Sequence, residues 1–404
     1  MTEKEQKEAI KLLKNILEIP TVNGVSNEAL LAKSLQEYFR SYGIDSKVQT
    51  VDENRSNLIV DISGLNSDVL MLWNGHLDTV PYGNLDGWES DPAKPVIIDN
   101  KVYARGASDM KSGLAAMVHS LCFMKESGIV PYCNIRFIAT CDEESGGTGA
   151  RKIIEHELLG LPSVMIIAEP TDCNIGIAQK GCLWLKIFIE GKTSHGAYPQ
   201  EGINAVQYGF EICSELRSFI QQFFHPVLKE ATAEITSING GISPNMIPDS
   251  CEIIMDIRMT PELNLAKVLN KLDEICEKYA KMNRQLLEIR YEVLNHRSSV
   301  YTNECNQWVR QLKDLVNNQG FNAKMMGINY FTDASIFTEK NKDSPVILFG
   351  PGCPSMAHKP NEYVEISKYK MAIEVMKNLY AKDDISLQVQ NKEIERGKNN
   401  ESYD

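Results

Sequence analysis

Four apolar runs of strand length each lead into side chains that can bind a metal ion or transfer a proton. The runs cover residues 69–73, 135–139, 164–168 and 346–349, and such unbroken apolar character is typical of strands buried on both faces of a sheet. The residues that follow them are His76 and Asp78, residues 142–144, Glu169 and, beyond a loop with glycine and proline, His358. Ligands of open α/β sheets bind beyond the carboxyl ends of the strands. The sequence therefore predicts that these side chains meet at one end of one sheet.

His76 and Asp78 stand two positions apart in an extended segment, so their side chains point to the same side. A carboxylate in that position can hold the second ring nitrogen of a metal-bound histidine and raise its basicity. The same pair is also compatible with a structural histidine beside a turn aspartate. The pair alone does not decide between these two interpretations.

Further carboxylates stand next to glycine-containing loops. Asp109 precedes a predicted helix within residues 105–113, where an aspartate can also simply stabilise a helix start. The three consecutive acids of residues 142–144 repel one another unless a cation is present, although a solvated loop is the alternative. Glu169, directly before Pro170, is a signal of the same kind.

Two histidines, three carboxylates and one spare glutamate form a mixed set of nitrogen and oxygen ligands. Such a set favours a hard or borderline divalent ion, with zinc first and cobalt or manganese as alternatives. The ligands suffice for two ions that share one carboxylate, and a pair of ions polarises a carbonyl and activates a water. The spare glutamate can take the proton of the water and pass it to a leaving amine.

The composition argues against several classes of protein. The 404-residue chain has 42 Lys+Arg against 54 Asp+Glu, a net charge of −12, which disfavours binding to nucleic acid or to an anionic membrane. The first residues are charged and helical in period, unlike a signal peptide, and no apolar run is long enough to span a bilayer. The ten cysteines contain no CxxC spacing and predict free thiols. We therefore expect a cytoplasmic protein.

The predicted elements divide the chain into two parts. Apolar residues at helical spacing predict helices over residues 5–17, 27–42, 113–124, 204–220, 263–282, 303–316 and 367–380. The runs 183–190 and 250–259 alternate apolar and polar residues, as half-exposed antiparallel strands do. We therefore predict an α/β domain, residues 1–180 and 294–404, interrupted by an α+β insert over residues 181–293, with a polar tail from residue 382.

Six motifs occur in one order along the chain. They cover residues 75–78 (GHLD), 105–111 (RGASDMK), 142–144 (DEE), 168–170 (AEP), 194–195 (SH) and 357–358 (AH). This set resembles the di-zinc family of acetylornithine deacetylase, succinyl-diaminopimelate desuccinylase, aminoacylase and glutamate carboxypeptidase, over nearly the whole chain. The resemblance implies a zinc-peptidase-like catalytic domain, with a mixed sheet and helices on both faces, and an insert that serves as lid and dimerisation domain.

The resemblance also implies a role for each candidate residue of the catalytic domain. It implies five metal ligands: His76, Asp109, Glu144, Glu169 and His358. Asp109 would bridge the two ions and precede a cis peptide bond. His76 and Glu169 would complete the coordination of one ion, and Glu144 and His358 that of the other. Glu143 would be the general base, and Asp78 would hold His76.

Within the insert, the resemblance points to residues that contact the substrate. His195 would reach across a homodimer into the active site of the partner and stabilise the developing oxyanion. Tyr198 lies close to it in the sequence, and Asn245 and Arg258 resemble contacts to a substrate carboxylate, for which an arginine fork is suited.

The expected reaction is hydrolysis of the amide bond of an N-acyl amino acid. Succinyl-diaminopimelate desuccinylase is the first choice and acetylornithine deacetylase the second. A dipeptidase or carboxypeptidase that uses the same site is the alternative within enzymes. A non-catalytic scaffold is the alternative of another class, and the completeness of the ligand set together with Glu143 argues against it.

Overall fold

The structure, a computed structural model, describes residues 1–282 and 287–379 and divides into two compact units. The larger unit contains Met1–Ile177, Thr302–Met326 and the described residues from Lys340 to Leu379. The smaller unit contains Ala178–Tyr301 and Gly327–Glu339.

Helices and strands alternate along much of the described chain. The helices are α1 (Glu3–Glu18), α2 (Glu28–Ser41), α3 (Lys111–Glu126), α4 (Thr148–Glu155), α5 (Ala205–Ile220), α6 (Leu265–Met282), α7 (Gln307–Asn318), α8 (Ala334–Lys340) and α9 (Ile366–Leu379). The strands are β1 (Ser46–Thr50), β2 (Ser56–Ile62), β3 (Asn66–His76), β4 (Val96–Ile98), β5 (Lys101–Tyr103), β6 (Cys133–Thr140), β7 (Val164–Ile167), β8 (Ile175–Gln179), β9 (Gly181–Glu190), β10 (Phe224–His225), β11 (Lys229–Glu230), β12 (Thr232–Gly240), β13 (Ser250–Met259), β14 (Glu288–Arg297), β15 (Val300–Tyr301), β16 (Met325–Ile328), β17 (Val346–Leu348) and β18 (Tyr363–Glu365). The predicted polar tail from residue 382 lies outside the described residues.

The larger unit is built on a mixed sheet with the strand order β1-β2-β6-β3-β7-β17-β8. β3 lies between β6 and β7 and runs parallel to both, and β17 runs parallel to β7. β1 and β2 are antiparallel to each other, and β2 is antiparallel to β6. The four parallel strands bring their carboxyl ends to the same edge of the sheet. The predicted α/β class with a mixed sheet is confirmed.

β3 is longer than the apolar run that predicts it. The apolar run ends before Asn74, yet the strand continues to His76, which pairs with Thr140 of β6. The side-chain amide of Asn74 donates to the backbone oxygen of Ile138 and to Oγ1 of Thr140, both at 3.1 Å. Because these bonds satisfy the buried amide, a polar residue is accommodated inside the strand.

α3 begins two residues after Asp109 and is buried on almost every side. Its first residue, Lys111, extends its amine to the end of α1, where Nζ donates to the backbone oxygens of Ile19 at 2.8 Å and Ile16 at 3.2 Å. These hydrogen bonds satisfy carbonyl groups that the end of a helix leaves without an intrahelical donor. The start of α3, and with it Asp109, is therefore anchored to α1.

The smaller unit contains a four-stranded antiparallel sheet in the order β12-β13-β9-β14. β9 and β13 bury every second residue, as the alternating sequence predicts. Their buried side chains form one core with apolar residues of α5 and α6, including Leu185, Ile253, Ile212 and Leu272.

Some helix boundaries differ from the prediction. The helix predicted over residues 303–316 begins at Gln307, because the side chain of Asn306 accepts the N–H of Trp308 at 2.9 Å and caps the first turn. α4 escapes prediction because it has eight residues, too few for a clear helical period. Throughout residues 1–282 and 287–379, none of the helices combines the length and apolar character that crossing a membrane requires.

Candidate active site

His76, Asp109 and Glu144 converge at the carboxyl edge of the sheet in the larger unit. Each offers one ligand atom, and these atoms lie within 4.8 Å of one another. His76 ends β3, Asp109 precedes α3, and Glu144 follows β6. Nε2 of His76 lies 3.2 Å from Oδ1 of Asp109. The Asp109–Met110 peptide bond is cis.

His358 joins this cluster from the opposite side of Asp109. Its Nε2 lies 3.0 Å from Oε2 of Glu144 and 3.4 Å from Oδ2 of Asp109. Its backbone is left-handed, with φ at 63°, and follows the 3-10 turn Pro354–Met356. The two oxygens of Asp109 thus face two different histidines, His76 and His358.

Glu169, the fifth predicted ligand, is buried and lies two residues beyond the end of β7. The N–H of the preceding Ala168 donates to the backbone oxygen of Asn74 in β3 at 2.9 Å. Since β3 ends at His76, two residues later, Glu169 lies at the same edge of the sheet as the other four residues.

The donor set fits a divalent cation. Oε1 of Glu144 is buried and has no hydrogen-bond partner among the described residues. A buried carboxylate oxygen without a donor is costly, and a cation is the partner that would satisfy it. Carboxylates and imidazoles are the ligands that zinc, manganese and cobalt accept.

The charges of the cluster depend on one another. Burial raises the pKa of Asp109, but hydrogen bonds from His358 and His76 outweigh it and hold that pKa below its usual range. Hydrogen bonds to Asp109 and Glu144 raise the pKa of His358 to about 10. Burial and the charge of Asp109 raise the pKa of Glu144. Protons and metal ions therefore compete for the same place.

Asp78 is fully buried and accepts hydrogen bonds from the acidic turn of residues 142–144. Its carboxylate accepts the backbone N–H of Glu143 and of Glu144, both at 3.1 Å, and the side-chain amide of Asn23 at 2.7 Å. Nδ1 of His76 is 2.9 Å from the backbone oxygen of Asp78 and 3.6 Å from its Oδ1. The main chain of Asp78 is thus the nearer partner of the ring, while its carboxylate holds the turn.

A network of charged residues contacts the same turn at Asp142. Asp142 has a left-handed backbone, with φ at 62°, and its N–H donates to Glu28 at 2.8 Å. Arg55 lies 3.1 Å from Asp142 and 3.3 Å from Glu28. Burial, together with the charge of Asp78, raises the pKa of Glu28 to about 8. Sequence reasoning missed Glu28 and Arg55, because neither belongs to a motif.

Three of the predicted substrate residues come together in the smaller unit. His195 is exposed, and the centroid of its ring lies 6.0 Å from that of Tyr198. The backbone oxygen of Asn245 accepts the N–H of Gly196 at 2.7 Å. Nδ1 of His195 accepts the N–H of Ala197 at 3.0 Å, so in the neutral ring the proton resides on Nε2.

Arg258 is engaged elsewhere in the smaller unit. Its Nε and Nη2 donate to the two carboxylate oxygens of Asp256 at 2.7 and 2.9 Å. Asp256 also accepts the indole N–H of Trp184 at 3.0 Å. The guanidinium fork for which the family resemblance implies a substrate carboxylate is therefore occupied by a protein carboxylate.

Comparison with known proteins identifies relatives along most of the chain. The family model described as Peptidase family M20/M25/M40 matches residues 72–382. A protein of Staphylococcus aureus, named probable succinyl-diaminopimelate desuccinylase, is 31% identical over 416 aligned residues, which cover 93% of this chain and 98% of the relative.

Solved structures of low sequence identity share the fold. A tripeptidase of Staphylococcus aureus matches with a TM-score of 0.75 and 21% identity, over 93% of this chain and 97% of the other. A dinuclear metal-binding peptidase of the M20 family from Bacillus subtilis matches with a TM-score of 0.70 and 16% identity, over 94% and 98%. The predicted family is confirmed: the chain belongs to peptidase family M20/M25/M40, a family of metal-dependent hydrolases.

Proposed function

We propose that this hydrolase cleaves the amide bond of an N-acyl amino acid. N-succinyl-diaminopimelate is our first choice of substrate, and N-acetylornithine is our second choice. The observation that carries the proposal is the grouping of His76, Asp109, Glu144 and His358 beside a glutamate, Glu143, whose N–H is fixed by a buried carboxylate. The choice of acyl group draws on the name of the relative at 31% identity.

The residues that would hold two divalent ions are His76, Asp109, Glu144, Glu169 and His358. The bridging role of Asp109 is supported by its two oxygens, which face His76 and His358 respectively. We assign zinc first, with cobalt or manganese as alternatives. When bound, such ions supply Lewis acidity, which polarises the amide carbonyl and lowers the pKa of a water.

Glu143 acts as the general base in this proposal. It takes a proton from the water that attacks the amide carbon and gives that proton to the nitrogen as the carbon–nitrogen bond breaks. Its N–H bond to Asp78 fixes the start of the acidic turn. The products are then a free carboxylate and the amine of the amino acid.

The insert of residues 181–293, which lies within the smaller unit, serves as lid and dimerisation domain in this proposal. His195 of the partner subunit donates Nε2–H to the developing oxyanion, for which its exposure and its tautomer are suited. Tyr198 and Asn245 contact the substrate. Arg258 does so only after it exchanges Asp256 for the substrate carboxylate. None of the ten cysteines forms a disulfide in the described part of the chain, which supports a cytoplasmic location.

A peptidase that uses the same residues is the second candidate. It is supported by the resemblance of the fold to a solved tripeptidase, which at 21% identity concerns the fold alone. The relative that shares more sequence carries a deacylase name, and we therefore place the deacylase first.

A panel of substrates tests the proposal. Metal-depleted protein receives zinc, cobalt or manganese, and rates are measured on N-succinyl-diaminopimelate, N-acetylornithine, dipeptides and tripeptides. We expect the largest kcat/KM for a succinyl or acetyl amino acid. A peptide that is cleaved faster overturns the deacylase in favour of the peptidase, and metal-loaded protein without turnover on any substrate supports the scaffold.

A further inference from the structure

Glu362 is a fully buried carboxylate that no motif of the sequence predicts, and it lies against the loop that carries Asp109. Its Oε1 accepts the backbone N–H of Ser108 at 2.8 Å and of Asp109 at 2.9 Å. Its Oε2 accepts the N–H of Gly106 at 3.1 Å and Nη1 of Arg105 at 2.6 Å. Four donors of one loop thus converge on a single side chain.

This loop can hold an anion because of its backbone shape. Gly106 has φ at 85°, a conformation that suits glycine, and a Cβ there would lie 2.8 Å from Cγ2 of Thr79. Successive N–H groups that point inward form a concave anion site, known as a nest. In this protein the anion is Glu362 itself, so the position of the loop depends on this carboxylate.

The same contacts join the loop to the segment that carries His358. Nη1 of Arg105 also donates to the backbone oxygen of Lys359 at 3.1 Å, one residue after His358. The hydroxyl of Ser108 donates to the backbone oxygen of Cys353 at 2.8 Å. Glu362 and its salt-bridge partner therefore fix the backbone next to two of the residues that would bind metal.

We propose that Glu362 is a positioning residue for the metal centre: by holding the N–H groups of Ser108 and Asp109 and the side chain of Arg105, it aims the two carboxylate oxygens of Asp109 at His76 and His358. The inference rests on the metal centre of the proposed function and adds a residue that does not itself bind metal.

A purely structural ion pair is the competing explanation. Buried ion pairs often contribute to stability alone, or to nothing measurable. The two explanations differ in one respect: a positioning residue changes the affinity for metal in protein that is still folded, whereas a structural pair changes only the resistance to unfolding.

The test compares Glu362→Gln with a matched substitution elsewhere in the larger unit. Glu5 is also buried, and its carboxylate pairs with Lys377 at 2.6 Å between α1 and α9. Glu5→Gln therefore removes a buried charge of the same kind without touching the loop. Zinc affinity and stoichiometry are measured by calorimetry on the full chain, and folding is monitored by circular dichroism.

We expect Glu362→Gln to bind zinc about 10- to 100-fold more weakly, the usual effect of losing a side chain that orients a metal ligand, and Glu5→Gln to bind as the wild type does. If Glu362→Gln fails to fold, Arg105→Lys replaces it, because lysine keeps the charge but loses the donation to Lys359. A folded variant with wild-type zinc affinity overturns the inference. Wild-type protein that binds zinc without hydrolysing any substrate overturns the proposed reaction and leaves this inference standing.

Discussion

The backbone N–H of Glu143 donates a hydrogen bond to Oδ1 of Asp78 at 3.1 Å. The same oxygen lies 3.6 Å from Nδ1 of His76, and the other carboxylate oxygen accepts the N–H of Glu144. One buried side chain therefore contacts the backbone of the proposed base and of one proposed ligand and lies beside a second ligand.

Replacing this carboxylate by an amide tests its role. Asp78→Asn keeps the size but leaves one acceptor oxygen for the donors of Glu143, Glu144 and Asn23. We expect kcat to fall about 10- to 100-fold in folded protein. Asp61→Asn, which breaks a partly exposed pair with Arg136, is the control and should leave kcat unchanged. Equal kcat values for the two variants would contradict the assigned role.

The proposed role of Glu143 can be separated from those of the proposed metal ligands by substitution. Glu143→Ala should keep the metal content of the wild type and lose about 10²- to 10⁴-fold in kcat, because it removes proton transfer alone. Glu144→Ala is the contrasting variant and should lose metal. Elemental analysis and steady-state kinetics provide the two readouts. Full turnover by Glu143→Ala would exclude it as the base.

Metal binding should strengthen as the pH rises. The pKa of His358 is raised to about 10 by Asp109 and Glu144, so its ring is protonated at neutral pH until a metal ion displaces the proton. A ligand histidine must be neutral, so the apparent affinity rises about tenfold per pH unit for each proton displaced. Zinc titrations between pH 6 and 8, in buffers of different ionisation enthalpy, count these protons. His358→Ala should release fewer, and an affinity independent of pH would refute the expectation.

Lys111 should make stability depend on pH. Burial lowers the pKa of its amine to about 7, whereas the unfolded chain has the ordinary value of about 10.4. Between these values the unfolded state binds the additional proton, so stability rises with pH. In metal-free protein, the Tm of the wild type minus the Tm of Lys111→Met should therefore increase from pH 7 to pH 10. The exposed Lys125 of the same helix provides the control Lys125→Met, and parallel curves for wild type and Lys111→Met would contradict the prediction.

The sequence predicts those parts of the site that local patterns encode. Apolar runs followed by acids and histidines predict that His76, Glu144 and His358 follow strands, and a glycine-containing loop predicts that Asp109 precedes a helix, as the structure has them. Glu362 could not be predicted in this way, because its partners stand more than 250 positions away in the chain.

Local sequence also does not predict which partner a charged side chain pairs with. Asp256 and Arg258 stand two apart in β13, and the pattern gives their shared face but not whether the fork meets Asp256 or a ligand. Glu28 resembles a helix-start acid, and only the tertiary structure shows it beneath Asp142. Predictions from the chain alone therefore reach the proposed metal ligands but not the residues that contact them from distant parts of the chain.

The role of His195 across a dimer can be tested by mixing two inactive variants. Glu143→Ala lacks the base and keeps His195, and His195→Ala has the opposite defect. A mixed dimer then contains one complete site, in which the intact Glu143 of one subunit meets His195 of the partner subunit.

Half of the dimers are mixed after exchange of an equal mixture, so about a quarter of the wild-type activity should return. Exchange is verified with subunits that carry different tags. The control is Glu143→Ala mixed with His156→Ala, which changes an exposed position of the larger unit. Activity that stays at the level of the separate variants after verified exchange would show that each subunit completes its site alone.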